Sequence, residues 1–346
     1  MTVLVTLDFP PRHGGIQEYL FERVRHLYGA QDRVVLPFEP GEEVRARLST
    51  RGVRIVARPC TTFGRLPVVY LLSRTLKKVV RPGETVECGN VYAALAARMC
   101  GCRYTVYTYG TELLGLDRHS LRASLLRRVL RDADERCVLG EYTLSLLRRC
   151  GIGGAVRREP PRLSLRGIEP CPPPAGGMGR ILVLGRLVGH KGHDTVLGAL
   201  ALLDETIWSL DIAGAGPCET SLRRRAARLG VARRVRFHGA VDAAQREELF
   251  RAATVLVLAS RQERGGTEGF GIVLLEAMAR GVVAAGSRCG EIPVILDNGS
   301  CGLLFEPGNE QELARELSRL EHENTLRAAL TDKARARVGE HYAWNE

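Results

Sequence analysis

The feature that most constrains this chain is an alternation that runs along nearly its whole length. Short, continuous apolar runs are separated by stretches with helical spacing. In the first half, residues 3–7 (VLVTL), 33–37, 53–57, 84–88, 104–108 and 135–139 read as strands. Residues 15–28, 42–51, 67–80, 91–100, 120–131 and 141–149 lie between them and read as helices. The second half repeats the theme, with strands at 180–185, 209–214, 234–239, 254–260 and 282–286. A strand that is apolar at every position is buried on both faces, and strands separated by helices pair in parallel. The expected fold class is α/β, with two Rossmann-like doubly wound domains facing across a cleft at the carboxyl ends of both sheets.

Two domains also follow from size, because 346 residues exceed one ordinary core. The seam falls in EPPRLSLRGIEPCPPPAGGMG (159–179), whose Pro and Gly density no helix or central strand accepts. The expected boundaries are a first domain at 1–165, a linker at 166–179 and a second domain at 180–330. Residues 331–346 are expected as a C-terminal segment returning towards the first domain.

Composition narrows the function. Hydrophobic residues make up 45% and charged residues 26%, which excludes a disordered chain. No apolar run reaches the ~18–20 residues of a membrane span. The start, MTVLVTLDFPPR, reads as a strand without a signal-peptide pattern, so the expected address is cytoplasmic, with the inner membrane face as a peripheral alternative. Ten cysteines without a C-x-x-C pair are expected as thiols rather than disulfides. The net charge of +11 implies anionic partners. Aromatics, at 5%, are not interleaved with the arginine runs, so no nucleic-acid partner is expected.

Three constellations carry chemistry. VLGRLVGHKGHD (183–194) places Arg186 and Lys191 on a loop after a buried strand, where a forked donor and a mobile cation can grip a diphosphate. It is not a Walker A loop, because Lys191 is followed by Gly192 and His193. PPRHGGIQEYL (10–20) sets Gly14 and Gly15 at a helix start, where open amides and the helix dipole favour phosphate; His13 reads as a loop residue. EGFGIVLLE (268–276) puts Glu268 before a buried helix and Glu276 within it. A buried Glu276 needs a partner, and either vicinal ligand hydroxyls or an internal salt bridge would supply one.

These motifs occur in an order that resembles a known family. GG near the N-terminus, G-R-L-x3-K-G opening the second half and E-G-F-G-I-V-x-L-E near its end are similar to the retaining nucleotide-sugar glycosyltransferases of family four, which have the GT-B fold. FHGAV (237–241) and GLLFEPGN (302–309) extend the likeness, and FPPRHGGIQEYL (9–20) resembles mannosyltransferases acting on phosphatidylinositol mannosides. The resemblance implies that Arg186 and Lys191 hold the donor diphosphate, Gly15 abuts it and Glu276 binds the ribose. It implies that Glu268, with the amides of Gly269, Phe270, Gly271 and Ile272, holds the hexose, and that Gly239 and Val241 contact the base. No cofactor and no metal are expected. The implied donor is GDP-mannose, with UDP-sugars as the alternative. The implied acceptor is lipid-linked or a glycan, and an anionic membrane surface is a candidate partner through SLRASLLRRVLR (120–131). Against that, Leu121, Leu125 and Leu126 are expected to face the first sheet. Other readings are a disaccharide phosphorylase or epimerase of the same fold, and a non-catalytic donor-binding partner.

The chain departs from the family in three places. Tyr109 stands in TYGTELLG (108–115), where the family's catalytic histidine is usual; a phenol donates a hydrogen bond but carries no imidazolium charge. LSLRGIEP (163–170) replaces an Asn-Gly-Val-Asp stretch, and the chain ends at YAWNE before the expected crossover helix.

Overall fold

The apolar runs become parallel strands in both halves of the computed structural model. It describes all residues except 13, 61–63, 117–119, 172–178, 264–265 and 346, and of residue 324 only the backbone. The chain divides into two units, Met1–Pro161 and Arg162–Glu346. Half of the expected linker, residues 172–178, and His13 lie outside the described residues.

The first unit runs β1 (Thr2–Val5), α1 (Gly15–Leu27), β2 (Arg33–Leu36), α2 (Glu42–Ser49), β3 (Arg54–Ala57) and α3 (Arg65–Val79). It continues with β4 (Thr85–Cys88), α4 (Val91–Met99), β5 (Tyr104–Thr108), α5 (Leu121–Asp132), β6 (Glu135–Val138), α6 (Glu141–Arg149) and β7 (Val156–Arg158). Its sheet is wholly parallel, in the order β3-β2-β1-β4-β5-β6-β7. Val3, Leu4, Val5, Val34, Val35 and Leu36 are all buried, because helices cover both faces of the central strands. Helix α4 (VYAALAARM) is almost all Ala and apolar, and its small side chains let it pack between α3 and α5. Asn90 caps it, accepting from the amides of Tyr92 and Ala93.

A buried charged pair interrupts this core. Glu87, on central strand β4, accepts from Arg23 Nη1 at 2.6 Å and Nη2 at 3.1 Å, and from the Tyr28 hydroxyl. Arg23 also reaches Glu159, which Arg157 pairs from the other side at 3.1 Å. A lone buried carboxylate would cost several kcal/mol, and the bidentate arginine offsets that while pinning α1 to the sheet.

The second unit runs β8 (Gly179–Leu184), α7 (His193–Leu202), β9 (Trp208–Ala213), α8 (Glu219–Arg228), β10 (Val235–Gly239) and α9 (Ala243–Ala252). It ends with β11 (Val255–Leu258), α10 (Ile272–Ala279), β12 (Val283–Ser287), α11 (Ile292–Ile295), β13 (Leu303–Phe305), α12 (Glu310–His322) and α13 (Asn324–His341). Its sheet is also parallel, in the order β10-β9-β8-β11-β12-β13. The C-terminal segment belongs to this unit. The Leu163 amide donates to the Tyr342 carbonyl at 2.7 Å, and the Trp344 amide to the Leu163 carbonyl at 3.0 Å.

Two strands escaped the sequence reading. β7 and β13 are three residues each, too short for periodicity to mark, and only the sheet edge selects them. The leucines of 120–131 are also corrected. Leu126 is buried as expected, but Leu121 is 93% exposed and Leu125 40% exposed, because a helix that meets its sheet with one stripe leaves the others to solvent. No disulfide joins any of the ten cysteines. Among the described residues no helix is long and apolar enough to cross a membrane.

Candidate active site

Strand order locates the second unit's site. From β8 the chain runs outward through β9 and β10, then returns to β11 on the other side of β8. The loops after β8 and β11 therefore diverge at the carboxyl ends of two adjacent strands, the switch point where such sheets bind ligands. Those loops carry Arg186 and Lys191 on one side and Ser260 to Gly271 on the other.

The two loops meet at one carboxylate. Glu268 Oε2 accepts from Lys191 Nζ at 2.6 Å and from Ser260 Oγ at 2.8 Å. Ser260 is fixed in turn, its carbonyl accepting from the Ser287 hydroxyl on β12. Glu268 is only 7% exposed. Burial alone would raise its carboxyl, but the Lys191 ammonium and the Ser260 hydroxyl hold it below the usual range, so it is ionised at neutral pH. Gly192 makes the approach possible. It has φ 66°, and a Cβ there would lie 1.9 Å from the Ala259 carbonyl oxygen on the facing strand end.

Arg186 is exposed, and among the described residues its guanidinium has no partner, so it is the uncommitted cation of the loop. Its carbonyl is held by His193 Nε2, 3.1 Å away at the first turn of α7. Burial pushes the His193 imidazole down to about 4. The ring is therefore neutral, Nε2 donates, and Nδ1 is buried with no hydrogen-bond partner among the described residues. Burial and the neighbouring Lys191 also push His190 down. With two cations and one carboxylate, the loops can receive a dianionic diphosphate while Glu268 accepts hydroxyl donors.

Helix α10 starts at Gly271, whose φ of 98° needs glycine, and no side chain caps it. Phe270 is buried with its ring edge-on to Tyr342 at 6.0 Å, so its side chain is core. Glu276, 14% exposed at its side chain, is paired with Arg246 of α9. The internal salt bridge foreseen as one alternative is thus present. Gly239 ends β10, at a register shift against β9, and Val241 follows just ahead of the Asp242 cap of α9.

The first unit holds the remaining expected residues. Gly14 and Gly15 open α1 after β1. Nearby, at this sheet's own switch point between β1 and β4, Asp8 accepts from Gln17 Nε2 at 3.0 Å and Asn90 Nδ2 at 2.8 Å. Tyr109 is buried, stacks edge-on with Tyr19, and donates its hydroxyl to the Gly89 carbonyl at 2.9 Å. Its amide donates to Glu112, whose carboxyl burial pushes up. The acids of Asp132-Ala-Asp134 are paired with Arg98 and Arg103. Among the described residues no group of three or more His, Cys, Asp or Glu is arranged to hold a metal ion. Ser260, His193, Arg246 and Asp8 were not singled out in the sequence. A polar residue at the end of a buried strand could have flagged Ser260 and Asp8, but nothing local ties Arg246 to a residue thirty positions away.

Two parallel Rossmann-like sheets define a two-domain α/β protein of the GT-B fold. The Anabaena HepE structure with UDP and glucose aligns at TM-score 0.80 and 18% identity, over 98% of this chain and 95% of that one. Sucrose-phosphate synthase from Thermosynechococcus elongatus aligns at 0.79 and 18%, over 99% and 95%. At that identity the likeness bears on the fold alone. The family described as glycosyl transferases group 1 matches residues 174–337. The GDP-mannose-dependent alpha-(1-6)-phosphatidylinositol monomannoside mannosyltransferase of Mycolicibacterium smegmatis is 32% identical over 327 residues, 88% of this chain and 85% of that protein. Its counterpart from Mycobacterium tuberculosis H37Rv is 29% identical over 366 residues, 99% and 94%. The chain belongs to the group 1 glycosyl transferases and is a glycosyltransferase.

Proposed function

We propose that this glycosyltransferase moves mannose from GDP-mannose to a hydroxyl of a lipid-linked acceptor, with retention at the anomeric carbon. The observation that carries the reading is Lys191 and Ser260 converging on Glu268, beside the uncommitted Arg186, at the β8/β11 switch point. Arg186 and Lys191 take the diphosphate. Glu268 and the amides from Gly269 to Ile272 hold the hexose, Glu276 the ribose, and the backbone at Gly239 and Val241 the base. The bond from the anomeric carbon to the diphosphate breaks as the acceptor oxygen attacks the same face. The acceptor's proton passes to the departing phosphate oxygen, so no enzymic nucleophile is needed. The main electrostatic task is stabilising the leaving diphosphate, which the cation pair performs without a bound metal. Tyr109 acts by positioning, because its hydroxyl is already given to Gly89.

The names of the mycobacterial relatives support GDP-mannose and a phosphatidylinositol mannoside as substrates. An anionic membrane surface is the proposed working place. Support comes from exposed Leu66 and Tyr70 on α3 and Leu121 and Leu125 on α5, beside Arg65 and Arg122, which both donate to Tyr92 of α4. The test is calorimetry with GDP, UDP and their sugars, followed by transfer of labelled mannose to phosphatidylinositol monomannoside. The expected result is tight GDP binding, strongly weakened in Lys191→Ala. No binding of either nucleotide would sink the reading. Binding of UDP alone would move the donor to the UDP-sugars.

A further inference from the structure

We infer that Arg246 is a positioning residue for the nucleotide's ribose, acting through Glu276. This rests on the reading of Glu276 as the ribose ligand. Arg246 lies on α9, one turn past the Asp242 cap, and its Nη2 pairs with Glu276 Oε2 across the gap to α10. The pairing leaves Oε1 without a partner among the described residues. The guanidinium is held in turn, stacked 5.7 Å over the Phe250 ring, whose other neighbour is Arg280 at 4.6 Å. Arg280 is anchored separately, to Glu247 at 2.9 Å and to the Glu276 carbonyl at 3.1 Å. The two arginines are therefore not interchangeable. Among the described residues, only Arg246 touches the carboxylate.

The chemistry of a diphosphate site explains why that contact matters. A ribose that caps Glu276 removes its remaining 14% exposure just as two phosphate charges arrive close by. An unpaired carboxylate would then be both desolvated and repelled. Arg246 cancels that charge and fixes the carboxylate plane, so that Oε1 and the outer lone pairs of Oε2 face two vicinal hydroxyls at once. Arg246 is itself 40% exposed at its side chain, so it holds Glu276 without closing the site.

The experiment compares GDP with 2′,3′-dideoxy-GDP by calorimetry, in the wild type, Arg246→Gln, Arg246→Lys and Glu276→Gln. The wild type should prefer GDP. Arg246→Gln should weaken GDP by about tenfold and dideoxy-GDP by less than about twofold. Combined with Glu276→Gln, it should add little more. Arg246→Lys, which keeps the charge but loses the fork, should recover part of the preference. Equal weakening of both nucleotides in Arg246→Gln would reduce Arg246 to a helix-to-helix strut and overturn the inference. Should Arg246→Gln fail to fold, an unchanged preference in Arg246→Lys and in Glu276→Gln would overturn it as well. If the wild type binds both nucleotides alike, the ribose role of Glu276 fails and the inference with it. If it binds neither, it is the donor-site reading that fails.

Discussion

Glu268 and His193 show how much of this site rests on single protonation states. Glu268 is held below its ordinary range by Lys191 and Ser260, so its pairing stabilises the fold above the unfolded carboxyl value and is lost as pH falls through the native one. In Lys191→Ala burial is no longer offset by the ammonium, so the carboxyl rises and the stability lost with Lys191 should be greater at pH 7 than at pH 4. Urea unfolding of the variant and the wild type at pH 4 and pH 7 checks this. His193 works in the same direction as the wild-type Glu268, because its native value of about 4 lies below that of the unfolded chain. Its contribution is present at pH 7 and is lost as the unfolded ring protonates below about 6.5, some ~2 kcal/mol by pH 5. His193→Gln keeps a donor for the Arg186 carbonyl but does not titrate. Its stability should therefore decline less than the wild type's between pH 7 and pH 5. Equal declines would contradict the neutral, buried ring.

At the scale of elements, loops and helices are positioned by close contacts that propensity does not encode. The turn from β8 into α7 passes within reach of the β11 end only because residue 192 has no side chain. Gly192→Ala should cost about 2 kcal/mol through its positive φ alone, and more through the clash with the Ala259 carbonyl. It should also weaken GDP binding by separating Lys191 from Glu268, which calorimetry on the folded variant reads directly. In the first unit, α1 is pinned by Arg23 on Glu87. Glu87→Ala should destabilise by about 3 kcal/mol because the buried guanidinium loses its bidentate partner and keeps the bond to Glu159, whereas Arg23→Met with Glu87→Leu should cost less. Denaturant midpoints of the single and double variants test this. The helices of the first half were legible from spacing, and the buried start of α10 was legible from its two glycines. The partners of Glu87 and Glu276 were not, since each lies on an element brought near only by folding.

For the whole molecule, charge and exposed apolar surface point the same way. The net charge of +11 is not spread at random: α3, α4 and α5 have no acidic residue in their first turns, where the exposed leucines and Arg65 and Arg122 gather. The N-termini of α3 and α5, which have no acidic residue in their first turns, add their dipoles to those cations. Vesicles containing anionic lipid should therefore sediment the protein, and vesicles of neutral lipid should not. Binding should fall steeply between about 0.05 and 0.5 M salt, as screening shortens the reach of the field. Leu121→Ser with Leu125→Ser should weaken it without altering GDP affinity. Sedimentation indifferent to lipid charge would remove the surface from the functional account.

The sequence by itself determined the fold class, because uniformly apolar strands alternating with helices have few ways to bury themselves. It also determined the candidate loops, because glycines and cations at strand ends are local signals. Only the tertiary structure decided how the charges are spent. It gave Glu268 to Lys191 and Ser260, Glu276 to Arg246, and the Tyr109 hydroxyl to a backbone carbonyl. Those choices depend on which strands become neighbours, and a parallel sheet brings together residues far apart in the chain.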